Sequence, residues 1–205
     1  MPEKTVQKEP GKKPAPSKKP KPQQEVVVQI SLSELHPFPD HPFQVREDAS
    51  MQETAESVKE YGVLVPALAR PREDGGYELI AGHRRKHACE LAGLATMPVI
   101  VRDIDRDVAT IIMVDSNLQR ENILPSERAK AYKMKMEAIK RQGARTDLTS
   151  PKISAKFRSD DEVGQDAGVS GDTIRNYIAL TQLVPELQQM VDEKKIARSP
   201  AYQIV

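Results

Sequence analysis

Short apolar runs of strand length, separated by Pro, Gly and polar residues, mark the chain between residues 25 and 103. Runs that combine β-branched and apolar residues between turn formers predict β-strands. Four segments have this pattern: VVVQI at 26–30, LVPALAR at 64–70, YELIAG at 77–82 and MPVIVRD at 97–103. Helical patterns lie between them, and this mixed order predicts a small α/β (α+β) domain.

Two segments among these strands repeat apolar residues at helical spacing. In SMQETAESVKEYG (50–62) we expect Ser50 to cap the helix and Gly62 to end it. In GHRRKHACELAG (82–93) we expect Ala88, Leu91 and Ala92 to form the apolar face. The sequence thus predicts two helices between the strands.

The chain after residue 103 shows helical patterns and no convincing strand. The segment 105–122 begins with the cap candidate Asp105, and the segment 124–143 has Pro125 in its first turn and Gly143 at its end. A polar stretch follows, which we interpret as a loop. The second half of the chain is therefore predicted to be all α-helical.

The segment SDDEVGQDAGVSGDTIRNYIALTQLVPEL (159–187) predicts two short helices joined by a tight turn. Ser159 and Glu162 suit a capping box, Gly168 suits the turn, and Ser170 suits the cap of the second helix. Two crossed helices would bury the apolar positions Val163, Ala167, Val169, Ile174 and Ile178. This arrangement is typical of a helix-turn-helix, and the alternative is a helical hairpin in an ordinary bundle.

In a helix-turn-helix the second helix lies in the DNA major groove and reads bases from its first turns. Ser170, Thr173, Arg175 and Asn176 are the residues that would face DNA here. Arg suits guanine or phosphate, and Asn suits adenine. Asp172 counts against DNA binding, because its charge has the wrong sign to face phosphate.

The second helix of the sheet region begins with basic residues, directly after Gly82: His83, Arg84, Arg85 and Lys86. Cations are unfavourable at a helix N-terminus, where unpaired amides already carry a partial positive charge. An anion would explain the arrangement, because the free amides and two arginines can bind phosphate where glycine lets the backbone approach closely. The alternative is a solvent-facing basic turn. The chain has neither a P-loop nor a G-x-G-x-x-G turn.

Composition adds limits to these predictions. The 205 residues carry a formal net charge of only +1, so any nucleic-acid binding must come from local charge clusters. The single cysteine, Cys89, excludes an internal disulfide, and no apolar run is long enough for a membrane span. We expect a cytoplasmic protein. The Lys- and Pro-rich residues 1–24 are predicted to be a disordered basic arm.

Several motifs, taken in order, resemble the ParB family of chromosome and plasmid partition proteins. They are GHRRKHA (82–88), AGLATMPVIVRD (92–103), DSNLQRENILPSERAKAY (115–132) and the predicted helix-turn-helix, with PFQVR (42–46) similar to the family's N-terminal box. The resemblance implies a ParB/sulfiredoxin-like nucleotide-binding domain over residues 25–120 and an all-α helix-turn-helix domain over 121–205. Full-length relatives add a C-terminal dimerisation domain, which this sequence lacks, so we expect a truncated chain.

Members of this family bind CTP with Mg²⁺, recognise a palindromic DNA site called parS and close around DNA as dimers that slide. They work with a ParA-type ATPase, so the resemblance implies a nucleoid- or plasmid-associated homodimer. The family's motifs assign triphosphate binding to Gly82, His83, Arg84, Arg85 and Arg120, and the Mg²⁺ site to Asn117. Gln44, Arg46, Ser116 and Gln119 are further nucleotide-binding candidates by motif position.

Two positions depart from the family pattern, which commonly has Glu where this chain has His83 and Ser116. The second Glu is the carboxylate associated with hydrolysis, so we expect CTP binding with at most weak CTPase activity and assign no catalytic residue. Asp115 is rotated about 100 degrees from Ser116 on a helix and is a poor substitute.

Two other functions fit parts of the sequence. A ParB-like transcriptional or nucleoid-occlusion regulator would use the same domains on a different DNA site, without a ParA partner. A small kinase or phosphotransferase on the same phosphate-binding fold would need a catalytic carboxylate near Arg84 and Arg85.

Overall fold

The computed structural model of the protein describes residues 25–120, 122–146 and 159–203. The predicted basic arm at 1–24 therefore lies outside the described residues, and so does most of the predicted loop after residue 143. Five strands and two helices form the first part of the fold: β1 (Val27–Ser31), β2 (Leu35–Pro37), α1 (Ala49–Tyr61), β3 (Ala67–Pro71), β4 (Tyr77–Ala81), α2 (His83–Leu91) and β5 (Thr96–Val101).

The strands form one mixed sheet in the order β1-β5-β3-β4-β2. β1 runs antiparallel to β5 and β3 antiparallel to β4, whereas β3 with β5 and β2 with β4 are parallel. All four predicted strands are present, but the one in LVPALAR begins only at Ala67, because Leu64 and Val65 are exposed in the preceding loop. β2 was not predicted, since three residues are too few to show an alternation.

Helices cover both faces of this sheet. Consecutive strand residues point to opposite faces. In β4, Leu79 joins the core with α1 and α2, while Ile80 joins the core with α3 (Arg106–Leu118) and α4 (Pro125–Thr146). Met51 of α1 and Met113 of α3 are fully buried on these two sides. The site residues before α2 and at the end of α3 are thus carried by elements packed on one rigid sheet.

Two local predictions for α1 and α2 are wrong. Asp48, not Ser50, caps α1, because its carboxylate accepts a hydrogen bond from the Met51 amide at 2.9 Å. In α2, Ala88 is buried and Ala92 packs against the core as predicted, but Leu91 is 52% exposed and Cys89 is buried in its place. Leu91 lies about 200 degrees around the helix from Cys89, so both cannot face the sheet.

Helices alone form the rest of the described chain: α3 (Arg106–Leu118), α4 (Pro125–Thr146), α5 (Ser159–Ala167), α6 (Gly171–Ala179), α7 (Pro185–Asp192) and α8 (Arg198–Gln203). The Asp105 cap of α3 is confirmed, with bonds from the amides of Asp107 and Val108. The predicted end of α4 at Gly143 is wrong. Glycine lowers helix stability but ends a helix mainly where the backbone turns left-handed, and residue 143 is helical.

α4 joins the sheet to the helices that follow. Ala131 belongs to the core with Ile80 of β4, and the next residue, Tyr132, is buried with Val163 of α5 and Ile174 of α6. The domain boundary at 120 and 121 remains a prediction, and α4 packs on both sides of it. None of the described helices combines the length and apolar character that a membrane span requires.

α5 and α6 meet through a tight turn as predicted. Gly168 adopts a left-handed backbone with φ of 68°, and the Ser170 side chain accepts a bond from the Thr173 amide. Val163 and Ile174 are fully buried, with the other predicted apolar positions packed around them. α5 begins at Ser159 itself, and the capping bond predicted for that side chain lies outside the described side chains.

Candidate functional site

A cavity of about 310 Å³ opens at the N-terminus of α2, between that helix, the loop after β2 and the end of α3. The structure brings the main predicted nucleotide-binding residues together around it: Gly82, His83, Arg84, Arg85, Ser116, Asn117 and Arg120. His41, Phe43, Val45 and Thr54 complete the wall. No Asp or Glu is among these described lining residues, so the cavity suits an anion.

Gly82 makes the turn from β4 into α2 with φ of 110°, a left-handed backbone that favours glycine. A Cβ at this position would lie 2.8 Å from the Cβ of Ala67 on β3. The Gly82 carbonyl accepts the bond from the Lys86 amide, and no side chain caps the helix. The amides of the first turn therefore have no intrahelical acceptor and can bind an anion.

The two arginines of the first turn have different surroundings. Arg85 donates through Nη1 to the carbonyls of Val65 at 2.5 Å and Pro66 at 2.6 Å. Arg84 makes only long contacts, to the Ser50 hydroxyl at 3.3 Å and the Asp48 carboxylate at 3.8 Å. Both predicted arginines line the cavity, but Nη1 of Arg85 is bound to backbone carbonyls, whereas Arg84 has only weak contacts.

Arg120 approaches the cavity from the end of α3. Burial lowers its pKa, and the positive charge of Arg84 lowers it further. Two guanidinium groups that repel each other at one cavity would be stabilised by an anion between them. This electrostatic arrangement is the clearest indication of a polyanionic ligand.

Two histidines lie on the wall beside these cations. The rings of His41 and His83 are 3.9 Å apart between centroids, and the Nε2 atom of each is buried with no hydrogen-bond partner among the described residues. Burial lowers the pKa of His83 to about 3, with further lowering by His41, Lys86 and Arg120. Burial also lowers the pKa of His41. Both rings are therefore neutral at pH 7.

The end of α3 contributes amide and hydroxyl groups. Asn117 Nδ2 and Ser116 Oγ both donate to the Met113 carbonyl, which leaves the side-chain oxygen Oδ1 of Asn117 without a partner among the described residues. Asp115 instead binds the ammonium group of Lys135 at 2.6 Å. The described residues contain no cluster of three or more His, Cys, Asp or Glu able to hold a metal ion. Asn117 can thus supply one oxygen to Mg²⁺, provided that a ligand's phosphates supply others.

A second cavity of about 550 Å³ adjoins the first, and both have Phe43, Arg84 and Arg120 in their walls. Of the four further nucleotide-binding candidates, Ser116 lines the first cavity, and the other three line only the second: Gln44, Arg46 and Gln119. Glu127 also lines it, and its carboxylate accepts bonds from the Gln44 and Leu124 amides. The two cavities together form an elongated site with the arginines in the middle.

The predicted DNA-contacting residues lie on α6 and at its cap. Arg175 is 43% exposed, but its guanidinium is bound to the carboxylates of Asp160 and Asp172. Thr173 and Asn176 line a shallow pocket of about 190 Å³ with Arg198 and Ser199 of α8. The segment 159–179 carries one arginine and five acidic residues: Asp160, Asp161, Glu162, Asp166 and Asp172. The roles of Ser170, Thr173, Arg175 and Asn176 in DNA binding stay predictions.

Two residues were not predicted: one in the wall of the first cavity and one that joins the helices behind it. His41 was assigned no role, because its contact with His83 joins positions 42 residues apart, which no local pattern reveals. The side chain of Lys135, in the middle of α4, is only 1% exposed. A lysine in a helical pattern is normally predicted to face solvent. Lys135 binds Asp115 of α3 and Asp166 of α5.

Comparisons with known proteins agree on one family. The model of the ParB N-terminal domain matches residues 16–118. The chromosome-partitioning protein Spo0J of Thermus thermophilus is 34% identical over 176 residues, which cover 85% of this chain and 58% of that protein. The nucleoid occlusion protein of Halalkalibacterium halodurans is 31% identical over 179 residues, covering 87% and 56%. The chain thus spans about half the length of these curated relatives.

A solved structure is also similar. It is the C-terminally truncated chromosome-partitioning protein ParB from Caulobacter crescentus, complexed to the centromeric parS site. The TM-score is 0.56 at 26% sequence identity, and the match covers 86% of this chain and 83% of that one. The similarity extends over most of both chains, so it includes residues on both sides of the boundary predicted at 120 and 121.

Proposed function

The chain belongs to the ParB family, and on that premise we propose that it binds CTP with Mg²⁺ before α2 and a parS-like DNA site through α5 and α6. The observation that carries the nucleotide part is the pairing of Arg84 and Arg120 around a cavity without carboxylates. The free amides at the start of α2 add donors to the same cavity. A triphosphate matches this charge better than any neutral ligand.

The triphosphate is held in this proposal by Arg84, Arg120 and the backbone amides that follow Gly82. Arg85 acts indirectly, because its bonds to the Val65 and Pro66 carbonyls fix the first turn of α2. Asn117 provides its amide oxygen to Mg²⁺. When bound, the ion would offset phosphate charge and join phosphate oxygens to α3. The nucleotide contacts of Gln44, Arg46 and Gln119, which line the adjoining cavity, stay predictions.

Hydrolysis is expected to be weak. The Ser116 hydroxyl donates to a carbonyl of its own helix, and Asp115 is held by Lys135. No carboxylate is among the described residues that line the first cavity, so a general base of that type is missing there. The kinase or phosphotransferase alternative needs a catalytic carboxylate near Arg84 and Arg85. Asp48 lies 3.8 Å from Arg84, but it caps α1 and does not line the first cavity, so we do not propose that alternative.

The DNA part of the proposal rests on the α5–α6 pair. Its turn, cap and buried apolar positions have the form of a helix-turn-helix, with α6 as the helix that enters the major groove. The similar ParB from Caulobacter crescentus is complexed to a parS site, which supports this assignment. Asn176 and Thr173 would reach bases, while Arg175 must first leave its carboxylate partners.

The activity of a whole protein of this family goes beyond the matched half. Within the proposal, two copies close around DNA as a sliding clamp, and a ParA-type ATPase acts on the complex. A nucleoid-associated regulator is the second candidate, because the nucleoid occlusion protein of Halalkalibacterium halodurans matches 87% of this chain. The two candidates differ in the DNA site and in the ParA partner, not in the nucleotide chemistry.

Isothermal titration tests the nucleotide part. The chain is titrated with CTP, ATP, GTP and UTP in Mg²⁺, with and without a parS-like duplex. Selective binding of CTP that is lost in Arg84→Ala and kept in the control Arg72→Ala supports the proposal. Arg72 lies beyond β3 and pairs with Asp74, away from both cavities. Absence of nucleotide binding with and without DNA would reject the CTP assignment and leave a DNA-binding protein.

A binding assay with labelled duplexes tests the DNA part. A parS palindrome and a scrambled duplex of the same length are compared at several salt concentrations, because charge contacts alone weaken steeply with salt. A preference for parS supports partition. Equal affinity for both duplexes would favour a regulator with another site.

A further inference from the structure

His41 has a fixed proton arrangement that the proposed triphosphate contacts do not use. Its Nδ1 atom lies 2.7 Å from the Phe43 carbonyl oxygen. A carbonyl can only accept, so Nδ1 carries the hydrogen and Nε2 of the neutral ring carries a lone pair. Nε2 is buried and no described group donates to it. Leaving a buried acceptor without a partner is unfavourable, so the atom needs a donor from a ligand.

Phosphate cannot be that ligand group. Phosphate oxygens of a nucleotide are acceptors at neutral pH, and two acceptors facing each other repel. The cations of the cavity, Arg84 and Arg120, already suit the phosphates. A nucleotide offers donors only on its uncharged part, as amino groups of the base or hydroxyl groups of the sugar.

We propose that His41 contacts the nucleoside part of the bound nucleotide and accepts a hydrogen bond at Nε2 from an N–H or O–H group. The inference rests on the proposed function, and it adds the atom that orients the nucleoside relative to the triphosphate. The ring of His83 packs against that of His41, with the centroids 3.9 Å apart. A donor bound at His41 thus lies beside the first residue of α2, where the triphosphate begins its contacts.

The charge state of the pair agrees with an acceptor role. Burial is the largest effect on His41 and lowers its pKa, Arg120 lowers it further, and the Phe43 carbonyl and Glu127 act in the opposite direction. The ring is therefore neutral at pH 7 and keeps its lone pair. A protonated ring would instead have a second donor and would select an acceptor.

Two substitutions separate the Nε2 role from the Nδ1 role. His41→Asn keeps an amide that can donate to the Phe43 carbonyl but has no atom at the position of Nε2. His41→Gln places an acceptor near the position of Nε2 and gives up the Phe43 contact. His87→Asn is the matched control, because His87 lies on the same helix as His83 but binds Glu47 and Glu90 outside the cavity.

Isothermal titration of each variant uses CTP and inorganic triphosphate as separate probes. His41→Asn is expected to weaken CTP about fivefold to tenfold, the loss of one neutral hydrogen bond, without changing the affinity for inorganic triphosphate. His41→Gln and His87→Asn should stay within about twofold of the wild type for both probes. The reverse order of the Asn and Gln variants would mean that His41 only anchors its loop, and would overturn the inference.

Two further ligands identify the donor. UTP lacks the amino group of CTP, and 2′,3′-dideoxy-CTP lacks the sugar hydroxyls. The ligand whose affinity is unaffected by His41→Asn is the one that lacks the contacting group. If that variant weakened UTP and dideoxy-CTP as much as CTP, the inference would be rejected. A wild-type chain that binds none of these nucleotides rejects the proposed function and this contact together, whereas CTP binding equal in wild type and His41→Asn rejects only the contact.

Discussion

Arg85 Nη1 lies 2.5 Å from the carbonyl oxygen of Val65, and this hydrogen bond ties the start of α2 to the loop before β3. A second bond from the same atom reaches the Pro66 carbonyl at 2.6 Å. Burial lowers the pKa of Arg85, but an arginine with a pKa below its usual 12.5 is still charged at pH 7. The two arginines of the GHRR turn therefore differ: Arg85 binds backbone carbonyls, whereas Arg84 lines the cavity without a strong partner.

We predict that replacing Arg85 mainly lowers stability, whereas replacing Arg84 mainly weakens nucleotide binding. Arg85→Ala removes both carbonyl contacts and should lower the free energy of unfolding by about 1–3 kcal/mol. Arg84→Ala should change stability by less than about 0.5 kcal/mol, because its contacts are long and exposed. It should weaken nucleotide binding about tenfold or more, as expected for a lost charge-assisted bond. Urea unfolding and isothermal titration on the same preparations measure both quantities.

Lysine replacements refine this test. Arg84→Lys keeps the charge and should retain part of the affinity, whereas Arg85→Lys cannot reproduce the pair of carbonyl contacts and should remain destabilised. Equal loss of stability in both alanine variants would contradict the division of roles between the two arginines.

Gly82→Ala is predicted to disrupt the same turn by steric means. The backbone φ of 110° is unfavourable for alanine, and the added Cβ would lie 2.8 Å from that of Ala67. Destabilisation of about 1–3 kcal/mol is expected from the strain. Gly93→Ala is the matched control, because Gly93 also has a positive φ, 73°, but open space at its Cβ. The extra destabilisation of Gly82→Ala over Gly93→Ala, measured by urea unfolding, reports the contact with Ala67.

The turn from β4 into α2 could be predicted from sequence because its signal is local: a strand pattern, Gly82 and a helix that begins with basic residues follow one another in the chain. The Asp48 cap was missed because Ser50 offered an equally good pattern two residues later. The Lys135 contacts could not be predicted, because periodicity places a lysine in solvent and only the packing of three helices brings Asp115 and Asp166 to it. The pairing of Arg175 with Asp160 depends likewise on how α5 crosses α6.

Stability is predicted to fall in mild acid through the histidine pair. The pKa of His83 is about 3 in the native state, against an ordinary value of 6.5. Between these two values the unfolded chain binds a proton at this residue and the native state does not. A depressed histidine pKa stabilises the fold above 6.5, and this contribution is lost as the pH falls towards the native value. Between about pH 7.5 and about pH 5.5 the loss from one such histidine amounts to about 1.4 kcal/mol.

Urea unfolding at the two pH values measures the slope. His83→Gln should make the dependence shallower by the contribution of that one ring. A wild-type slope unchanged by His83→Gln would mean that His83 is protonated normally in the folded chain.

Lys135 of α4 joins α3 and α5 through Asp115 and Asp166, and the contribution of these ion pairs to stability can be predicted. The ammonium group is buried, whereas its partners Asp115 and Asp166 are 46% and 56% exposed. Lys135→Met should change stability by no more than about 1 kcal/mol, because water can solvate both carboxylates. The double variant Asp115→Ala, Asp166→Ala should lose about 3–5 kcal/mol, because it leaves a buried charge alone. Urea unfolding compares them, and a Lys135→Met variant less stable than the double variant would contradict this account.

We predict that the carboxylate of Asp172 lowers the affinity of α6 for DNA. Asp172 is 79% exposed at the start of α6 and binds Arg175, so it both repels phosphate and occupies the arginine. Asp172→Asn should tighten duplex binding about twofold to fivefold at low salt, with a smaller gain at high salt where the repulsion is screened. Asp74→Asn, at an 88% exposed carboxylate after β3, is the control for net charge alone.

Arg175→Ala is expected to act in the other direction and on two quantities. It removes a cation from α6, the helix proposed to contact DNA, and leaves the largely buried Asp160, 10% exposed, without its partner, so both duplex affinity and stability should fall. Fluorescence anisotropy with a parS duplex, alongside urea unfolding, separates the two effects. If Asp172→Asn weakened DNA binding, the carboxylate would be holding Arg175 in its working position, and the ion pair would be part of the DNA-binding surface instead of a competitor for it.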